Sequence, residues 1–232
     1  MKPYLAALLA LFILSCNPKL SNGLRKNDLK RDVELVTSRG SMIIRLSDST
    51  PLHRDNFLKL VKQRYYDSIL FHRVISQFMI QAGDPKSKNA DKEERLGGNG
   101  PGYTVPAEFR STLFHKKGVI AAARTGDDIN PQKASSGSQF YIVQGKKFTD
   151  SGLDSVQTYR LKGFIIPEQH RAVYKSVGGT PHLDQNYTVF GEVIKGIEVI
   201  DSIAGVQTLG GRSGDRPLTD VRIVKARLVK RI

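Results

Sequence analysis

The feature that most constrains this chain is its punctuation: short runs rich in β-branched and aromatic residues recur between turn residues, without alternating helices. Residues 32–37 (DVELVT) and 42–46 (MIIRL) flank Ser38-Arg39-Gly40-Ser41, which is hairpin chemistry. Further strand-like runs fall at 69–74, 77–81, 118–124, 139–143, 187–193 and 221–229. Two or three helices join these roughly eight strands. Residues 51–63 open with Thr50 as N-cap and Pro51 at the first helical position, and Phe57, Leu60 and Val61 keep helical spacing. Residues 168–177 form another helix, stopped by Gly178-Gly179. Residues 196–204 place Ile197, Ile200, Ile203 and Ala204 on one helical face. This order gives an antiparallel barrel or sandwich, because a doubly wound sheet needs strand–helix alternation.

Composition narrows the class further. The 232 residues are 39% hydrophobic and 25% charged, enough apolar side chain for one substantial core. The 21 glycines and 10 prolines follow no repeat, which excludes collagen-like and low-complexity architectures. A single cysteine excludes a disulfide scaffold. One stretch is continuously apolar, residues 5–14 (LAALLALFIL), behind Lys2. At 1.5 Å per helical residue it falls short of a hydrocarbon core of about 30 Å. A multi-pass membrane protein is excluded, and the stretch reads as the apolar region of a signal peptide.

Phe12-Ile13-Leu14-Ser15-Cys16 resembles a bacterial lipobox, which implies lipidation of Cys16 as the mature N-terminus. Placing the one cysteine there leaves no other thiol in an oxidising compartment. The competing reading is a plain signal peptide with an incidental cysteine. Residues 16–27 are polar and aperiodic, a tether whose dozen or so residues reach on the order of 20 Å. The expected organisation is a lipoprotein signal peptide at 1–15, a tether at 16–27 and one domain at 28–232. The domain is expected in the cell envelope, anchored to a membrane and facing the periplasm.

Charge is unevenly spread. Thirty-six basic against 22 acidic residues give +14, and loss of residues 1–15 with Lys2 leaves +13. Residues 16–31 carry Lys19, Arg25, Lys26, Lys30 and Arg31 against Asp28, and residues 221–232 carry Arg222, Lys225, Arg227, Lys230 and Arg231 against no acid. Neither segment holds an aromatic residue, so nucleic acid is not the expected partner. Attraction to anionic lipid headgroups fits a tethered domain, and a solvated basic surface is the plain alternative.

The common catalytic constellations are missing. No HExxH, nucleophile elbow or Cys/His cluster at metal spacing occurs, so no metal or cofactor is expected. Asp127-Asp128 and Glu93-Glu94 read as solvated loop charges. Residues 83–102 are glycine-rich but lack a following Gly-Lys-Ser/Thr, which favours a surface loop over a phosphate cradle.

The informative segment is 71–84, FHRVISQFMIQAGD. It sets the permanently charged Arg73 a few residues from Phe78, Met79 and Gln81. Strand alternation, interrupted once by a turn or bulge near Ser76, would face these side chains into one pocket. The segment is similar to the signature of the cyclophilin family of peptidyl-prolyl cis-trans isomerases. The resemblance continues through 118–126 (GVIAAARTG), 135–143 (SSGSQFYIV) and 183–193 (LDQNYTVFGEV) and spans about 33–229. It implies a mainly β fold, a closed eight-stranded antiparallel barrel capped by two helices, with an extra helical insertion at about 146–181. It implies Arg73 as the catalytic residue. Phe78, Met79, Tyr141 and Leu183 match the apolar walls that accept the proline ring, and Gln81, Ala123, Arg124 and Gln139 match positions that hold the peptide backbone. The implied substrates are proline-containing unfolded or exported polypeptides, handled by a monomer. The rival reading is a catalytically weak chaperone or peptide-binding scaffold on the same fold.

The chain departs from the family pattern at three places. His182 stands where many members have a tryptophan beside the pocket, Tyr187 where many have a histidine on its floor, and Arg124 where asparagine is frequent. Tyr187 keeps an aromatic wall and a hydroxyl for substrate binding. His182 removes an indole that assists the drug cyclosporin, so drug binding is expected to be weak. The insertion, with Tyr159, Phe164 and Tyr174, reads either as a lip that selects clients or as structural padding.

Overall fold

The computed structural model describes residues 23–210 and 215–232. The expected signal peptide (1–15), Cys16 and the first part of the expected tether lie outside the described residues. Eight strands form one antiparallel sheet in the order β10-β1-β2-β9-β6-β8-β4-β3. These are β1 (Arg31–Thr37), β2 (Gly40–Leu46), β3 (Arg73–Ile75), β4 (Met79–Ala82), β6 (Val119–Ala122), β8 (Phe140–Val143), β9 (Val189–Lys195) and β10 (Ile223–Lys230). Two-residue strands β5 (Thr104–Val105) and β7 (Ser135–Ser136), neither anticipated, pair beside it.

The expectation of a closed barrel is corrected: the sheet is open and curled. Its edges, β3 and β10, share no ladder among the described residues. Their flanks meet at an isolated bridge, Leu70 opposite Arg222, with Phe71 N–H donating to Val221 O and Ile223 N–H to Ile69 O, both at 2.8 Å. β3 is too short to extend that pairing. Its Val74 N–H is taken by Asp215 O at 2.9 Å, and the chain turns at Ser76 and Gln77, the latter at φ 61°. The anticipated strand over 69–74 shrinks for the same reason.

Alternation along the strands builds two apolar layers. Ile80, Ala82, Ile120, Ala122, Phe140 and Ile142 face the concave main core with Val33, Leu35, Met42, Ile44 and Phe190. Met79, Val119, Ala121, Tyr141 and Val143 face the other way into a second cluster with Val189. Both faces of β4, β6 and β8 are therefore covered, unlike the half-wet sheet usual for antiparallel strands. Two of four α-helices among the described residues cover the main core: α1 (Pro51–Lys62) lies against β9 and β10, and α4 (Glu198–Ala204) against β2, β3 and β4. Phe57 of α1 packs within 4.9–5.5 Å, centroid to centroid, of Tyr66, Phe140 and Phe190.

Details differ from the sequence expectation. Thr50 occupies the N-cap of α1 but makes no side-chain cap. Instead the buried Glu108 carboxylate accepts from Leu52 N–H at 3.2 Å and His53 N–H at 3.0 Å. Ile197 precedes α4 and is exposed, while Val199 takes the buried place. Leu24 is fully buried in the main core.

The insertion holds two helices rather than one, α2 (Asp150–Tyr159) and α3 (Glu168–Ser176), around its own small core of Leu153, Leu161, Ile166 and Tyr174. α3 stops at Gly178, φ +95°, whose N–H reaches Val173 O at 3.2 Å. The chain rejoins the sheet where Gly179 crosses Gly145: a Cβ on Gly145 would stand 2.4 Å from the Gly179 Cα and one on Gly179 2.2 Å from His115 O, so both must be glycine.

Candidate active site

Strand register gathers the site on the convex face. Arg73 lies opposite Gln81, Gln81 opposite Tyr141, and Tyr141 opposite Ala121, one row across β3, β4, β8 and β6. The hairpin between β3 and β4 brings Phe78 to the end of that row, with Phe78 N–H bonded to Ile75 O at 3.1 Å. A cavity of about 350 Å³ results, into which Arg73, Phe78, Met79, Gln81, Ala123 and Arg124 project together with Tyr141, Leu183 and Tyr187. Nine of the ten pocket residues anticipated from sequence thus meet around one hollow. Gln139 does not. It stands behind Gln81, with its Nε2 donating to Gly97 O at 2.9 Å and Asn99 O at 2.8 Å, and it lines a neighbouring depression.

Arg73 is aimed by its neighbours. Its Nη1 donates to Gln81 Oε1 at 3.4 Å, and Gln81 Nε2 donates to Gln139 Oε1 at 3.1 Å. Its guanidinium carbon is 6.0 Å from the Phe78 ring centroid, and Asp215 stands 3.7 Å from Nε. That ion pair is longer than a charge-assisted hydrogen bond of about 2.8 Å. The side chain stays 40% exposed, open to an incoming ligand.

Arg124 is the contrasting case. Its side chain is 5% exposed, its Nε donates to Asn186 O at 2.7 Å, and its Nη1 donates to Asp127 Oδ1 at 2.6 Å. The guanidinium lies 4.5 Å from the Tyr187 centroid, so it braces that wall from behind. Arg124 pairing holds the Asp127 carboxyl below its ordinary value. Ala123 has its N–H on Gln139 O and its carbonyl on Ser136 N–H, which leaves its methyl as wall.

His182 stacks on Phe78 with centroids 5.5 Å apart. Burial holds its pKa down to about 4, helped by nearby Arg160, so the ring is neutral and apolar in character at pH 7. His72, Leu96 and Gly97 also line the cavity and were not singled out from sequence. His72 sits beside Arg73 in the quoted segment, which was the available signal. Burial lowers its pKa to about 4, and neither ring nitrogen has a protein partner. Leu96 and Gly97 arrive through the glycine-rich loop. There Gly97 N–H at 2.6 Å and Asn99 N–H at 3.3 Å donate to the buried Asp84 carboxylate, so the loop's donors serve the protein and not a phosphate.

The arrangement can grip an apolar ring in the notch of Phe78, Met79, Tyr141 and Leu183 and present a cation to its edge. Among the described residues no group of three or more His, Cys, Asp or Glu is placed to hold a metal ion.

A family model described as "Cyclophilin type peptidyl-prolyl cis-trans isomerase/CLD" matches residues 32–228. A Staphylococcus haemolyticus protein named "Putative peptidyl-prolyl cis-trans isomerase" is 35% identical over 207 residues, 89% of this chain and 94% of that protein. A Staphylococcus saprophyticus protein of the same name is 33% identical over 214 residues, 92% of this chain and 98% of its own. The crystal structure of a Cryptosporidium parvum cyclophilin type peptidyl-prolyl cis-trans isomerase shares the fold at a TM-score of 0.60 and 20% identity, covering 87% of this chain and 99% of that one. The chain belongs to the cyclophilin-type peptidyl-prolyl cis-trans isomerase family.

Proposed function

We propose that the chain accelerates rotation about X–Pro peptide bonds, with Arg73 as the catalytic residue and the notch of Phe78, Met79, Tyr141 and Leu183 as the seat of the proline ring. Rotation about an amide faces a barrier of about 18–20 kcal/mol because the nitrogen lone pair is delocalised into the carbonyl. X–Pro is the bond whose two isomers are close in energy yet exchange over tens to hundreds of seconds. No covalent intermediate is needed. In the twisted state the prolyl nitrogen is pyramidal and more basic, and a guanidinium donating toward it binds that state better than either planar one. Arginine suits the role because it stays charged and its donors form a rigid fork. Gln81 and the backbone around Ala123 and Arg124 border the path of the peptide, and Tyr187 closes the floor.

The observation that carries this reading is the half-open guanidinium of Arg73 poised over an apolar notch. The test is isomerisation of a short X–Pro peptide by wild type and Arg73→Ala. Loss of one preorganised donor costs about 10²–10³ in rate elsewhere, and a fall of that order is expected here. Equal rates would instead leave a peptide-binding scaffold.

The clients are exported polypeptides and the domain is membrane-anchored in the cell envelope, facing the periplasm. Support comes from the apolar run 5–14, from Cys16 at the end of a lipobox-like stretch, and from the basic residues of both termini.

A further inference from the structure

One ring of the proline notch, that of Tyr141, is tied to the insertion by a buried chain of polar groups. Tyr141 OH lies 2.9 Å from His115 Nε2. His115 Nδ1 and its backbone N–H both lie 2.9 Å from Asp184 Oδ1. The other oxygen, Asp184 Oδ2, accepts from Tyr174 OH at 2.7 Å. With Nδ1–H directed at the carboxylate, Nε2 can accept from the Tyr141 hydroxyl. All four side chains are buried, and they come from β8, the loop before β6, the turn after Leu183 and α3. Burial pushes both phenols far above their ordinary pKa, so both stay hydrogen-bond donors.

Each link bears on the notch. The Tyr141 ring is one of its walls, and Asp184 adjoins Leu183, another. A tyrosine in that wall, rather than a residue without a hydroxyl, makes the width of the notch depend on where His115 stands. His115 in turn stands where Asp184 holds it, and Asp184 is held from the far side by Tyr174. Interiors are packed too tightly for one such group to shift alone, and a buried polar group left without its partner is costly.

We propose that Tyr174 is a positioning residue for prolyl isomerisation: through Asp184 and His115 it sets the Tyr141 ring and so the fit of the proline. The insertion then serves the active site from behind and is not padding. This rests on the isomerase reading, and the experiment separates the two.

Tyr174→Phe, Tyr141→Phe and the double variant are assayed on an X–Pro peptide beside wild type, with folding checked by circular dichroism and urea midpoint. Tyr174→Phe is expected to lower kcat/KM roughly five-fold, mainly through KM, and to have no further effect in the Tyr141→Phe background. His170→Ala is the control. It removes the Phe114–His170 stack, centroids 3.8 Å apart, from the same helix and takes away none of the hydrogen bonds of the polar chain. It is expected to lower the urea midpoint and leave kcat/KM within twofold. The proposal is overturned if Tyr174→Phe changes kcat/KM by less than twofold, if its effect is undiminished in the Tyr141→Phe background, or if His170→Ala lowers kcat/KM equally. An inactive wild type would instead overturn the isomerase reading itself.

Discussion

Arg73 stands directly across the β3–β4 hairpin from Gln81, and the side-chain hydrogen bond between them, 3.4 Å from Nη1 to Oε1, fixes where the guanidinium points. A single orienting hydrogen bond is worth about 1 kcal/mol, so Gln81→Leu should lower kcat/KM on an X–Pro peptide by roughly fivefold. Arg73→Lys keeps the charge but loses the planar fork, and a larger loss is expected. Wild-type rates in Gln81→Leu would detach the glutamine from catalysis.

Glu108 serves the start of α1 from 55 residues away, accepting from Leu52 N–H, His53 N–H and, at 2.7 Å, His53 Nδ1. Glu108→Ala strands these buried groups, and urea denaturation should show a loss of about 1–3 kcal/mol. An unchanged midpoint would mean that solvent or the Thr50 hydroxyl replaces the carboxylate.

Stability should fall on the acid side through histidines. Burial holds His72 and His182 near pH 4 and lowers His53 as well. A histidine whose folded pKa lies below the unfolded value takes up a proton on unfolding. Its stabilising contribution is complete above about pH 6.5 and drains as pH falls toward 4. Urea midpoints should decline between pH 6.5 and 5, with a shallower slope in His72→Leu. Parallel slopes in the two proteins would assign the acid sensitivity elsewhere.

His182 stacks on Phe78 at the position where the cyclophilin resemblance leads one to expect an indole. His182→Trp should tighten cyclosporin inhibition by tenfold or more while leaving peptide turnover within a few-fold. Tight inhibition of the unaltered chain would show that the indole is dispensable here.

The anchor is tested on the full-length chain in cells. Cys16→Ser should move the protein from the membrane fraction to the soluble fraction, followed by immunoblot, and persistent membrane retention would argue for another mode of attachment.

Much of this was legible along the chain. The hairpin of β1 and β2, helix α1 and the central strands follow from turn residues and spacing, and FHRVISQFMIQAGD marked the pocket. What escaped depends on distance or on weak local signal. Helix α2 carries Gly152 in its first turn and, among its ten residues, Ser151, Ser155, Val156 and Thr158, all weak helix formers, so its propensity signal is faint. Glu108 reaches α1, and Gln139 reaches the 97–99 loop, across gaps that no local pattern records. The open edge of the sheet was hidden for a like reason, since Asp215 competes for β3 from more than a hundred residues away.

The alternation in β4, β6 and β8 has a consequence for how such a protein diverges. Even-numbered positions there belong to the main core and odd-numbered ones to the second layer, from which Met79, Gln81 and Tyr141 line the cavity. Heritable change in taste for one client over another can therefore accumulate at every second residue, while the intervening ones go on specifying the same architecture.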